Sequence, residues 1–227
     1  MQLLGIETAT EACSAALWLD GEVHSRFEIA PRRHAQLILP MMQELLDEAG
    51  LALADMDALA FGRGPGAFTG LRIAAGIVQG AALAADVPVV PVSTLASVAQ
   101  QSFENLGAER VLVANDARMG EVYAGYFCCD AEGLAYAVGD EAVVHPEVLP
   151  LEDGRWLGVG SGFAAYREVL TQRLEMNLID VQPDIWPDAR YLMRLAVAAF
   201  AKGDAVAPED ALPVYLRDDV ADKPRPR

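Results

Sequence analysis

Lysine is absent from the first 201 residues of this 227-residue chain, and histidine and cysteine occur only three times each. A phosphate-binding P-loop needs a lysine next to a Ser or Thr after its second glycine, so the glycine-rich stretch GRGPGAFTGLRIAAG (62–76) cannot be one. His24, His34 and His145 are far apart and lack a partner at helical spacing, and no Cys-x-x-Cys pair occurs, so no zinc site is expected. Each histidine reads as a surface or locally hydrogen-bonded residue. Cys128 and Cys129 are adjacent and Cys13 is left over, which forms no disulfide framework and fits a reducing compartment. Positive charge is also scarce: 17 Lys and Arg face 33 Asp and Glu, a net charge of −16. Phosphate backbones and anionic membrane surfaces are bound by clustered cations, so direct binding of nucleic acid or membrane is not expected.

Other chemistries fail on spacing. Gly62-x-Gly64-x-x-Ala67 has part of a dinucleotide-binding pattern, but VPVVPV (87–92) runs into Ser93–Thr94 without the acidic residue that would hold a ribose. GVGSGF (158–163) is not a nucleophile elbow, because Val159 and Phe163 stand where glycines are needed; Ser161 reads as a helix cap or turn residue. MQLLGIETATEA carries Glu7 and Glu11 and no basic region, unlike a signal peptide. The apolar stretch 70–92 is interrupted by Arg72, Gln79, Asp86 and two prolines, which argues against a membrane span. A soluble cytoplasmic protein is expected.

What remains is an α/β pattern with 53% apolar residues, enough for a large core. LLGIET (3–8) reads as a strand, and residues 14–29 as a hairpin turning at Asp20–Gly21. A helix is expected over 35–49, kinked or delayed by Pro40 and stopped by Gly50. DALAF (57–61) is a strand, Thr69 caps a helix over 70–85, VPVVPV is a strand, and 94–106 is a helix. A second round follows: strands at 111–116, 121–129 and 155–160, then helices at 162–174 and 187–202, then a loop-rich end with a loose KPRPR tail. A shift of 109 residues lays LLGIETATEACSAALWL roughly over VLVANDARMGEVYAGYF, with Glu7 on Asp116, and suggests an internal duplication. The expected halves are 1–106 and 107–227, with residues after about 187 packing back on the first.

The 70–85 helix is apolar or small around nearly its whole circumference, which points to burial or an interface. Gly76 and Gly80 allow close approach of another backbone. The 35–49 helix adds Met41 and Met42, adaptable contact residues. An interface is expected at Ile38, Met41, Met42, Leu45, Leu71, Ala75, Gly76 and Gly80, with core packing as the ordinary alternative.

GIETATEACSAAL, HAQLILPMMQELL, GRGPGAFTGLRIAAGIVQG and DARMGEVYAGYF together resemble the TsaB (YeaZ) family, from residue 3 to about PVYLRDDVA (213–221). The resemblance implies two RNase H-like domains of the actin, sugar-kinase and heat-shock chaperone superfamily, with mixed sheets flanked by helices. It also implies a non-catalytic subunit that forms a homodimer alone. That subunit would pair with the related TsaD, recruit the ATPase TsaE, and support threonylcarbamoyl modification of adenosine 37 in tRNAs reading codons that begin with A. TsaD carries a His-x-x-x-His metal site; the matching positions here are Thr94 and Val98, unable to replace it. No metal or cofactor of the chain's own is implied, although ATP or ADP at a complex interface is compatible. A cleft is expected where the strand-ending loops of the two halves meet, lined by Glu7, Thr8, Thr10, Glu11, Gly64, Gly66, Asp116 and Arg118. Arg118 would either fix its turn through Asp116 or Glu121, or reach outward to an anionic group. The alternatives are an inactive glycoprotease-like peptidase homologue and a small-molecule kinase of the same superfamily.

Overall fold

The computed structural model describes residues 1–217; the KPRPR tail and the end of the PVYLRDDVA motif lie outside the described residues. The first half begins with strands β1 (Gln2–Glu7), β2 (Ala12–Leu19) and β3 (Glu22–Ile29). Helix α1 (His34–Ala49), strand β4 (Ala58–Gly64), helix α2 (Phe68–Ala85), strand β5 (Val89–Ser93) and helix α3 (Thr94–Leu106) follow. Asp20 and Gly21 turn the β2–β3 hairpin with positive φ angles of 45° and 105°, the conformation that Asp-Gly favours there. The second half repeats the pattern with β6 (Arg110–Arg118), β7 (Glu121–Cys129), β8 (Ala135–Val144), β9 (Trp156–Val159), α4 (Ser161–Ala165), α5 (Arg167–Leu174), β10 (Leu178–Gln182) and α6 (Ala189–Lys202).

The two sheets are ordered β3-β2-β1-β4-β5 and β8-β7-β6-β9-β10. Adding five to each strand number converts one into the other, and the pairing directions match throughout: antiparallel for the first three strands, parallel for the rest. The duplication is therefore visible in topology. Central strand β1 is covered on both faces, which is why LLGIE is a continuous buried run instead of an alternating one. Edge strand β3 is only partly covered, has no fully buried residue and alternates only weakly.

One half of each sheet's cover is exchanged. Helix α3, grouped by sequence with residues 1–106, packs Leu95, Val98, Ala99 and Phe103 against Val111, Val113, Phe127 and Val159 of the second sheet. Helix α6 does the reverse, setting Leu192, Met193 and Ala196 on Leu3, Ala16 and Ala60 of the first sheet. The exchange ties the halves through their cores.

Several local expectations need correction. Helix α1 starts at His34 and continues through exposed Pro40, so its start is not delayed. Ala67, not Thr69, is the N-cap of α2. The 162–174 helix is two pieces, broken where Tyr166 leaves helical geometry with φ −130°. Strands β8 and β10 have no counterpart in the sequence reading, since β8 carries Gly139, Asp140 and Glu141 and is mostly half-exposed.

Six of the eight expected interface residues belong to the chain's own core. Ile38, Met41, Met42 and Leu45 form the i, i+3, i+4, i+7 stripe of α1 that meets Leu4, Leu17 and Phe61. Leu71 and Ala75 are likewise buried on α2. Only Gly76 and Gly80 face outward, with open space where a Cβ would be. They belong to an outer strip that continues with half-buried Ile73 and Ile77 and with Leu83, which is 74% exposed. By length and composition α2 could cross a membrane; in the fold it lies along β4 with Ala74, Val78 and Ala82 in the core.

Candidate functional site

The cleft is formed where the ends of β1 and β6, equivalent strands of the two halves, approach one another. It has a volume of about 960 Å³. Thr8, Thr10, Glu11, Gly66, Asp116 and Arg118 all line it, so loops more than a hundred residues apart meet as the duplication implies. Glu7 and Gly64 do not. Gly64 lies under the carbonyl oxygen of Val214, which would be 2.9 Å from a Cβ there. Glu7 is fully buried beneath the cleft floor.

The Glu7 carboxylate accepts hydrogen bonds from the Ala9 N–H (2.7 Å) and the Thr94 hydroxyl (3.0 Å). No cation faces it among the described residues, and burial pushes its pKa up to about 7 despite those donors. Thr94 is thus a fully buried donor to Glu7, and Val98 is a core residue under the second sheet. The two positions aligned by resemblance with TsaD's histidines are used for hydrogen bonding and packing. Among the described residues no three His, Cys, Asp or Glu side chains are grouped to hold a metal.

The glycine-rich turn after β4 has a different reason for its glycines. Ala67 N–H donates to the Ala9 carbonyl (2.7 Å), and the Thr8 hydroxyl donates to the Gly70 carbonyl (2.8 Å). A Cβ on Gly70 would collide with the Thr8 carbonyl oxygen, and one on Gly66 with Ala9. The turn is therefore closed onto the β1–β2 loop, backbone against backbone.

Charges cross the mouth of the cleft. Asp116 accepts from the Arg118 N–H (2.8 Å), the Arg118 guanidinium (2.9 Å) and the Tyr166 hydroxyl (3.2 Å). The same guanidinium donates to Glu11 of the first half (2.5 Å) while remaining 71% exposed. Arg118 thus fixes its turn through Asp116 and also spans the cleft; Glu121 pairs with Arg217 instead. The Ser161 hydroxyl accepts from the Asp116 N–H (3.1 Å), and Gly160 is the N-cap of α4, so Ser161 supports the cleft turn and does not cap a helix. His34, buried and within 3.2 Å of the Ala12 carbonyl, lines the wall; His145 sits 3.1 Å from the Gly120 carbonyl and His24 is exposed on β3.

Sequence reasoning missed Asn115, Tyr123, Phe68, Arg72, Tyr215 and Arg217, which also line the cleft. Asn115 and Tyr123 sit opposite one another on β6 and β7, a register that the two strand patterns could have suggested. Tyr215 and Arg217 come from the far end of the chain, and no local spacing points to them.

Two five-stranded mixed sheets of the same order, facing across a cleft at their first strands, define a duplicated RNase H-like protein of the actin, sugar-kinase and heat-shock chaperone class. Comparison with known proteins sharpens this. The family model for TsaD, tRNA N6-adenosine threonylcarbamoyltransferase, matches residues 22–224. The Escherichia coli K12 protein named tRNA threonylcarbamoyladenosine biosynthesis protein TsaB is 46% identical, covering 100% of this chain and 99% of its own length. The Haemophilus influenzae protein of the same name is 39% identical over 100% and 98%. The solved structure of YeaZ from Pseudomonas aeruginosa superposes with a TM-score of 0.88 at 47% identity, covering 95% of this chain and 99% of its own. The chain belongs to the TsaD family, in its TsaB (YeaZ) branch.

Proposed function

We propose that this chain is a non-catalytic supporting subunit in threonylcarbamoyladenosine formation on tRNA, acting with TsaD and TsaE in modification of adenosine 37. Full-length identity of 46% to a protein named for that biosynthesis carries the reading. The chemistry of the fold supports it: the positions matching the TsaD histidines are a buried Thr94 and a core Val98. The outer strip of α2, with Gly76, Ile77, Gly80 and Leu83, is the docking face for TsaD or for a second copy of the chain. Its small residues let another helix come close, and its apolar ones contribute area on burial. A nucleotide held by the complex has room beside Arg118 and the α2 N-terminus, where helix amides and a guanidinium favour anions. With a net charge of −16, contacts to tRNA come from the partners.

Reconstitution tests this directly. The purified chain, its host's TsaD and TsaE, ATP and a threonylcarbamoyl-adenylate supply are combined with unmodified tRNA, and the modified nucleoside is measured by mass spectrometry. Modification that needs this chain, together with no turnover and no tRNA retention by the chain alone at physiological salt, supports the reading. Modification independent of the chain overturns it, as would casein cleavage or sugar phosphorylation by the chain alone.

A further inference from the structure

The last described residues join the two halves of the cleft. Ala211 is fully buried against α2, and the Gln79 side chain donates to its carbonyl (3.3 Å). Val214 N–H donates to the Arg63 carbonyl at the end of β4 (2.8 Å). The Tyr215 ring packs on Phe68 with centroids 5.5 Å apart, and its hydroxyl accepts from Arg72 (3.2 Å), whose guanidinium lies 3.8 Å over the Phe68 ring. Apart from the turn bonds of Ala211 and Leu212 to Pro208 and Asp210, the hydrogen-bond and ring partners up to this point belong to the first half.

Two residues later the partners change. The Arg217 guanidinium donates to the carbonyls of Ala117 (3.1 Å) and Arg118 (3.4 Å) and pairs with Glu121, all in the β6–β7 hairpin of the second half. Its side chain is only 16% exposed, so this charge cluster is shielded more than the Glu11–Arg118 pair at the mouth. One nitrogen of the guanidinium, Nη2, makes all three contacts, so a single charged group gathers two carbonyls and a carboxylate of the hairpin. The segment is thus fixed to one half by main chain and aromatic rings and to the other by one side chain. Val214 and Arg217 form part of the cleft wall.

We propose that residues 212–217 are a strap that holds the two halves of the cleft together, with Arg217 as its releasable end. While Arg217 is seated, the Ala117–Glu121 hairpin is tied to β4 and α2. When it leaves, the mouth keeps the exposed Glu11–Arg118 pair, and Glu141 still reaches Ser93 and Arg63 behind it. Exposed pairs hold weakly, so the cleft edges part more often while the exchanged helices α3 and α6 keep both cores intact.

Hydrogen–deuterium exchange on the full-length chain reads this, using Arg217→Ala, Arg217→Lys and Glu121→Gln. Arg217→Ala is expected to speed exchange at residues 66–70 and 116–122 about tenfold, leaving β1, β4 and α6 unchanged. Arg217→Lys and Glu121→Gln fall between it and the unaltered protein, and they carry the test if the alanine variant does not fold. Unchanged exchange at the cleft loops overturns the strap. A uniform rise across both sheets with a lowered melting temperature also overturns it, because Arg217 would then support the fold as a whole.

Discussion

Helix α2 contains two sets of neighbouring small residues with opposite duties. At its start Gly70, with Gly66 in the turn before it, is pressed onto the backbone of Thr8 and Ala9, so close that neither position has room for a methyl group. Two turns on, Gly76 and Gly80 face outward and meet nothing. The first set lets the helix settle into its own chain; the second leaves a strip where a helix from elsewhere can settle. In composition the two are alike, and only the contact of the β1–β2 loop distinguishes them.

The comparison breaks most sharply at Gly70. Gly70→Ala sets a methyl group against the Thr8 carbonyl, which is backbone and cannot swing aside, so the loop or the helix must shift. A loss of about 3 kcal/mol or more is expected in denaturant unfolding, in the range of strained core substitutions. A near-neutral Gly70→Ala would mean that the close approach is not tight. Gly76→Glu is the counter-experiment. In open space and mid-helix, any residue but proline is a better helix former than glycine by roughly 0.5–1 kcal/mol, so the fold is expected to hold or gain. Association is expected to fail, with light scattering reporting monomer and the reconstituted complex losing TsaD binding. A dimer that survives Gly76→Glu with the fold intact removes the strip from the interface.

A smaller effect follows from what lies beneath the same loop. The folded-state pKa of Glu7, about 7, lies above its ordinary value of 4.5 because burial penalises the carboxylate. The folded protein therefore binds a proton that the unfolded chain has released between these values. The stability that the protonated group contributes is fully present below about pH 4.5 and is lost as pH rises through 7. Asp188 and Glu141 are raised for the same main reason and add slopes of the same sign. Glu7→Gln keeps an acceptor for Ala9 without the charge, so the variant should gain on the unaltered protein as pH rises from 5 to 8, by on the order of 2–3 kcal/mol at most. Parallel stability curves for the two proteins would mean that Glu7 is solvated or has a cation partner.

The physical reasons for what could be read from residues alone are local ones. Asp20–Gly21 sets its own turn, Gly50 ends its own helix, and the β4–turn–α2 order follows from an apolar run, glycines and a second apolar run. The cleft loops were found because Glu7 and Asp116 end equivalent strands, although burial of the first and exposure of the second hairpin's turn depend on neighbours from other elements. The facing of α2 was not readable, since a helix apolar all round has no pattern to orient it. Met41 and Met42 looked like contact residues because methionine suits both surfaces and cores; the stripe with Ile38 and Leu45 put them inside. Residues 212–217 entered the sequence reading only as part of the family resemblance and not as a site, because apart from the Leu212 N–H bond to the Asp210 carbonyl their hydrogen-bond partners are about 90 or more residues away.

The finest distinction lies at Arg118, where turn support and reach across the cleft share one guanidinium. Its bond to Asp116 is local, two residues away, and a lysine can replace it with one ammonium contact. Its bond to Glu11 is made at the same time by a second nitrogen, and the φ of 62° at Arg118 fixes the direction in which the side chain leaves the turn. Lysine offers one nitrogen, so it cannot give Asp116 and Glu11 the separate, fixed nitrogens that the guanidinium gives them. Exposed pairs of this kind contribute no more than about 1 kcal/mol, so Arg118→Lys is expected to shift the melting temperature by only a few degrees. If the mouth of the cleft meets an anionic group of the assembled complex, the same change lowers tRNA modification per folded complex severalfold, because a forked donor is lost. If Arg118 serves the turn alone, modification per folded complex stays level and the melting temperature carries the whole effect. Both quantities are measured on one preparation, and only the first outcome assigns Arg118 to the joint between subunits.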